Sequence, residues 1–103
     1  MHVVINKVYS FKLNSGEEII ALVTGVVSDH PSPHYVVEAP LGTAMSQQGM
    51  QLMPAMFTTD LNNKASIYFS SVAMISEPRT DITDAYREST TGITVPDKQI
   101  ILG

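Results

Sequence analysis

The run EEIIALVTGVVS at residues 17–28 limits the folds open to this chain more than any other stretch. It is rich in Ile and Val and carries two small residues inside it, Ala21 and Gly25. β-Branched side chains lose χ1 freedom in a helix and pack well on a pleated sheet, and an interior glycine weakens a helix further. A strand therefore fits better than a helix, which is the alternative for so long an apolar run. Small residues within a long strand mark a sharp bend or a close backbone approach. A strand of this kind serves two sides of a small barrel.

The neighbouring segments agree. Residues 8–14, VYSFKLN, alternate with Tyr9, Phe11 and Leu13 on one face and Ser10, Lys12 and Asn14 on the other, the period of a half-buried strand. Asn14-Ser15-Gly16 is a turn signal in which Gly16 is free to take positive φ. YVVEAP (35–40) reads as a third strand. Residues 41–63 are less regular, with methionines at 45, 50, 53 and 56. There Gly49 centres a hairpin tip, MQLMPAMF is the return arm, Pro54 holds that arm at an edge or bulge, and NNKA is a further turn. SIYFSS and VAMIS are two short apolar segments that almost touch, which predicts a sharp corner between strands. Residues 80–90, TDITDAYREST, predict a helix: Thr80 or Asp81 caps it, and Ile82, Ala85 and Tyr86 form one apolar stripe. Gly92 stops the helix, and the tail ITVPDKQIILG is an edge strand or a segment that packs on a neighbour. Five or so bent antiparallel strands followed by a helix fit a small barrel.

Composition narrows the functional classes. The 103 residues fit one domain, and 16% charged residues is low against a typical share of about 25%. Low charge on a small domain leaves apolar surface that an oligomer would bury, and the methionines suit either such an interface or plain core filling. The absence of cysteine excludes disulfides and thiolate metal sites and fits a reducing compartment. With no membrane-length apolar run and no signal-peptide pattern, an intracellular, cytoplasmic protein is expected. The net charge is −4, Lys7 and Lys12 are isolated, Lys64 is placed in a loop, and Arg79 and Arg87 lie among acids. That balance argues against non-specific duplex binding and leaves room for a small, stacking-based site for single strands.

The segment DHPSPHY (29–35) sets His30 and His34 around two prolines. A His-x3-His spacing binds metal from one side of a helix, and Pro31 and Pro33 prevent a helix here. Neither histidine has a visible nucleophile or orienting partner, and no enzyme signature occurs elsewhere, so no metal, cofactor or catalysis is expected. The prolines are accounted for by what they do to the backbone: they fix φ, withhold donors and end the flanking strands.

In this order the segments resemble the Sm-like family, which includes Sm, LSm and Hfq proteins. FKLNSGEEIIALVTGVVSD supplies Phe11, Leu13, Gly16 and Asp29 in the sequence of the first family motif, with Ala21 where the family usually has glycine. Residues 66–75, SIYFSSVAMI, are similar to the second motif, nearest its Hfq version, in which a Tyr opens the corner triplet. The chain also resembles small Sm-like proteins encoded by marine cyanophages over most of its length, which would place it in the cytoplasm of a host cell. It departs from the family in several places. The Asn that follows the Asp has no counterpart, Phe69 and Ser70 stand at the corner, and the helix follows the strands instead of preceding them.

The resemblance implies a mostly β fold, a strongly bent five-stranded Sm-like barrel with a C-terminal helix, in one domain spanning 1–103. The barrel would occupy 1–78 and the helix and tail 79–103. It further implies a homo-oligomeric ring built by pairing the fourth strand of one subunit with the fifth of the next. Single-stranded nucleic acid, RNA before DNA, would lie against Asp29, His34 and Tyr35 of the loop and Tyr68, Phe69 and Ser70 of the corner. Each of the aromatic residues has an alternative role in the core or an interface. The rival expectation is the same ring used as a structural or protein-interaction assembly with no nucleic acid. A hydrolase or metalloenzyme built on the DHPSPH loop comes third.

Overall fold

The computed structural model describes residues 2–90 together with the backbone of 100–102. Strands β1 (Lys7–Leu13), β2 (Glu18–Val27), β3 (His34–Ser46), β4 (Gly49–Pro54), β5 (Lys64–Tyr68) and β6 (Val72–Ser76) precede helix α1 (Thr80–Thr90) and a short strand β7 (Ile100–Leu102). Every pairing is antiparallel. The sheet runs in the order β6-β1-β2-β3-β4-β7, and β5 also pairs with β3. The run at 17–28 is thus a strand, and the corner between β5 and β6 is a single 3₁₀ turn, Phe69–Ser71.

Three features differ from the sequence expectation: the length of β3, the place of Lys64 and the number of strands. The third strand does not stop at Pro40. It passes through Ala39, held at φ 50°, and continues to Ser46, so that β3 is 13 residues long. Ala-Pro reads as a strand end because Pro withholds a donor, yet here it forms a bulge after which pairing resumes. Lys64, placed in a loop from sequence, is the first residue of β5. The longer β3 makes room for a second client on the same edge. Residues His34 to Glu38 pair with β5, and Leu41 to Ser46 pair with β4. A two-residue turn, Gln47-Gln48, joins β3 to β4, with Gly49 just past it at φ 112°. The arm of β3, β4 and β7 brings the strand number to seven. Gly92 and residues 93–99 of the tail lie outside the described residues.

The sheet buries side chains on both faces. On one, Tyr9 and Phe11 from β1, Ala21 and Val23 from β2, Val37 from β3 and Ile67 from β5 form a cluster. Tyr9, Phe11, Ala21, Val23 and Val37 are at most 1% exposed. This is the alternation of residues 8–14 realised, continued across the ladder by period-two faces. On the other face Val8, Ile20, Leu41 and Leu52 meet Ile82, Ala85 and Tyr86 of α1, the stripe expected from helical spacing. Asp81 lies in the first turn of α1, where an acid complements the helix dipole. The Arg79 guanidinium grips it with two hydrogen bonds of 3.1 Å and holds its carboxyl below the usual range.

Tyr86 does more than fill space. The β2–β3 ladder slips between Ile20 and Leu22, opposite the bulge at Ala39. Its hydroxyl accepts the Leu22 N–H at 3.0 Å and lies 3.0 Å from the Glu38 carbonyl and 2.9 Å from that of Ala39. A bend in a sheet strands backbone polar groups, and this phenol supplies the partners that the ladder no longer provides. Burial pushes the phenol pKa well above its usual value near 10.

Among the described strands, β5 is paired on one edge only, to β3, and β6 on one edge only, to β1. The two are consecutive in the chain but not hydrogen-bonded to each other. The ladder is therefore open along both.

Candidate functional site

Three chain segments converge at the end of the sheet where β5 turns into β6. The Phe69 N–H donates to the Pro33 carbonyl at 3.0 Å, tying the 3₁₀ corner to the 29–35 loop. The Asn14 N–H donates to the Ser71 carbonyl at 2.8 Å, and its side-chain amide to the Ser70 carbonyl at 2.6 Å, which adds the β1–β2 turn. Asn14 reads from sequence only as a turn residue. Its second role depends on a partner 56 residues away, which no local pattern reveals.

Two lines of rings result. In the outer one, the His30 and His34 rings meet edge to face with centroids 5.4 Å apart, and His34 sits 5.5 Å from Tyr68, its cross-strand partner. Tyr68 is 46% exposed, and the whole line is open to solvent on one side. In the inner line Tyr35 packs 4.6 Å from Phe69 and 5.4 Å from Phe11. Tyr35 also touches the buried cluster, so this line anchors the end to the core. Alternation along β3 separates the two lines: His34 points outward and Tyr35 inward.

Of the residues expected at the site, His34, Tyr35, Tyr68 and Phe69 come together in these two lines. Ser70 is exposed at the corner. Asp29 is exposed at the start of the loop and forms no ion pair among the described residues. His30, weighed from sequence only as a metal or catalytic group, joins the outer line.

The loop fixes the faces that these imidazoles present. The His30 Nδ1 accepts the Ser32 N–H at 2.9 Å, so in the neutral ring the proton is on Nε2. The His34 Nδ1 lies 2.9 Å from the Ser32 carbonyl. A carbonyl only accepts, so here Nδ1 carries the proton and Nε2 is left as an acceptor. The pair thus offers one donor and one acceptor beside the exposed Tyr68 ring. Among the described residues no three His, Asp or Glu side chains gather as metal ligands. No helix among them is long and apolar enough to cross a membrane.

No protein-family model matches this chain, and no curated protein matches it.

Proposed function

We propose that this chain is an Sm-like subunit that assembles into a homo-oligomeric ring and binds single-stranded nucleic acid, RNA before DNA, at the loop–corner end. The observation that carries this reading is the outer line of His30, His34 and Tyr68. It combines the exposed ring of Tyr68, and the two imidazoles inclined beside it, with one donor and one acceptor, the chemistry by which unpaired bases are stacked and their edges read. The barrel reading draws support from the cluster that β1, β2, β3 and β5 wrap, against which Val72 and Ile75 of β6 also pack. The arm formed by β4 and β7 is an addition to that unit. Ring assembly is supported by the half-paired β5 and β6, the fourth and fifth strands of the barrel once the arm is set aside. Each offers an edge that another copy can complete. Met74 on β6 is 67% exposed, an apolar side chain suited to burial against such a neighbour.

Titration with uridine- and adenine-rich oligonucleotides at low salt tests the reading, with light scattering run alongside. Ring-sized particles are expected, together with binding that weakens about fivefold or more in Tyr68→Ala and in His34→Ala, since a stacked base contributes about 1–3 kcal/mol. A monomer in solution, or no binding by the wild-type chain at low salt, overturns it. A second reading, a purely structural ring, is favoured by charge: Lys7, Lys12 and Arg79 are each engaged by a carboxylate. It predicts assembly without binding, and loss of assembly when residues 93–103 are deleted.

A further inference from the structure

Beside β5 lies a groove of about 370 Å³ that the loop–corner end does not include. Its apolar side is formed by Pro40, Met56 and Leu61. Its polar side comes from β5 itself: Lys64, Ser66 and Tyr68 alternate outward and exposed along the strand, and all three line the groove. Alternate residues of a strand are about 6.6 Å apart, so the row spans about 13 Å of backbone from Lys64 to Tyr68. The order along it is cation, hydroxyl, aromatic ring.

Two observations identify an occupant. First, Lys7, Lys12 and Arg79 are each paired with a carboxylate, whereas Lys64 and Arg87 form no ion pair among the described residues, and of these two only Lys64 lines the groove. An unengaged ammonium on an acidic protein, at the mouth of a concave site, is complementary to an anion. Secondly, Tyr68 belongs to both places. Its ring sits tilted against His34 at the end and also lines the groove. A strand lying against His34 and Tyr68 therefore meets this groove next.

We propose that the groove holds one nucleotide of the same single strand, adjoining those bound at the loop–corner end. Lys64 takes its phosphate, Met56 and Tyr68 flank its base, and Asn63 with Asp60 meets the base's polar edge. Asp60 would repel a phosphate placed beside it, so Lys64 takes the phosphate and Asp60 accepts from an N–H donor on the base edge. Such a volume lies at the low end of the range for small-ligand pockets, on the scale of one nucleotide. The inference rests on the reading above and extends it from the end of the sheet onto its outer wall.

The test compares a uridine trinucleotide with a nonanucleotide on the wild-type chain, Lys64→Gln and Lys64→Arg. Anisotropy is followed across a salt series, with light scattering on each protein. The nonamer should bind Lys64→Gln about tenfold more weakly, and the slope of log K against log salt should flatten by about 0.7 for each groove engaged. The trimer, short enough for the end alone, should be unaffected, and Lys64→Arg should restore the slope. If Lys64→Gln leaves nonamer binding intact, the groove proposal fails while the end site stands. Equal losses for both oligonucleotides place Lys64 at the end and also overturn it. A changed particle mass in Lys64→Gln makes the groove a contact between copies, which again overturns it. A wild-type chain that binds neither oligonucleotide removes the parent reading and the groove together.

Discussion

Replacing Tyr86 with Phe removes one oxygen and leaves the ring that packs on Ile20 and Leu41. The Leu22 N–H, now 3.0 Å from that oxygen, loses its acceptor at a place where the ladder has already slipped. The carbonyls of Glu38 and Ala39 lose their shared donor. A buried donor left without a partner costs about 1–3 kcal/mol, and a carbonyl with its second lone pair less. Working at about 2 kcal/mol, and with an unfolding entropy of about 2.1 cal/mol/K per residue over 103 residues, the melting temperature should fall by about 9 °C. Calorimetry at one fixed protein concentration checks this, since any oligomer makes the midpoint concentration-dependent. The pH dependence gives a second measurement with a defined sign. The folded phenol has a raised pKa, so its protonated form is favoured by the fold. That contribution is complete below the unfolded value near 10 and is lost progressively as pH rises above it. Wild type should therefore lose stability above about pH 10 more steeply than Tyr86→Phe. A Phe variant within about 0.5 kcal/mol of wild type, with the same alkaline slope, would refute the hydroxyl as the bridge across the bend.

Charging the free edge of β6 with Met74→Lys should shift the particle mass toward the monomer while circular dichroism stays unchanged, because Met74 makes no part of the buried clusters. Light scattering reads this, and an unaltered mass removes β6 from the assembly. Gly49→Ala forces a side chain onto φ 112° and should cost about 1–3 kcal/mol, visible as a lower unfolding midpoint. A midpoint within 1 °C of wild type would show that the turn relaxes.

Where a segment's pattern is periodic and its partner is the bulk of the core, the sequence disclosed it. The alternation at residues 8–14, the β-branched run at 17–28 and the Ile82, Ala85, Tyr86 stripe became β1, β2 and the buried face of α1. The corner at 69–71 was legible too, because two short apolar segments separated only by serines leave little room for anything else. What was not legible depends on distant chain. Ala-Pro at 39–40 carries the local signature of an ending, and only the pairing with β4 and β5 on either side of it sustains β3. Asn14 and Tyr68 were visible as a turn residue and a corner residue. Their joint membership in one end of the molecule is set by pairings across the whole sheet. The groove beside β5 had no sequence signal, since its apolar wall joins Pro40 of β3 to Met56 and Leu61 from a loop with no periodicity.

The placement of α1 after the four strands whose face it covers, β1 to β4, has a consequence for synthesis. Val8, Ile20, Leu41 and Leu52 all leave the ribosome before Tyr86 does. Until then the nascent sheet carries an uncovered apolar face, with the backbone at its bend still turned to water. The chain must wait for α1 before that face is covered, and in that interval the open edges of β5 and β6 are already made. In a polysome, where identical chains emerge side by side, a ring of the kind proposed would begin to assemble in that interval.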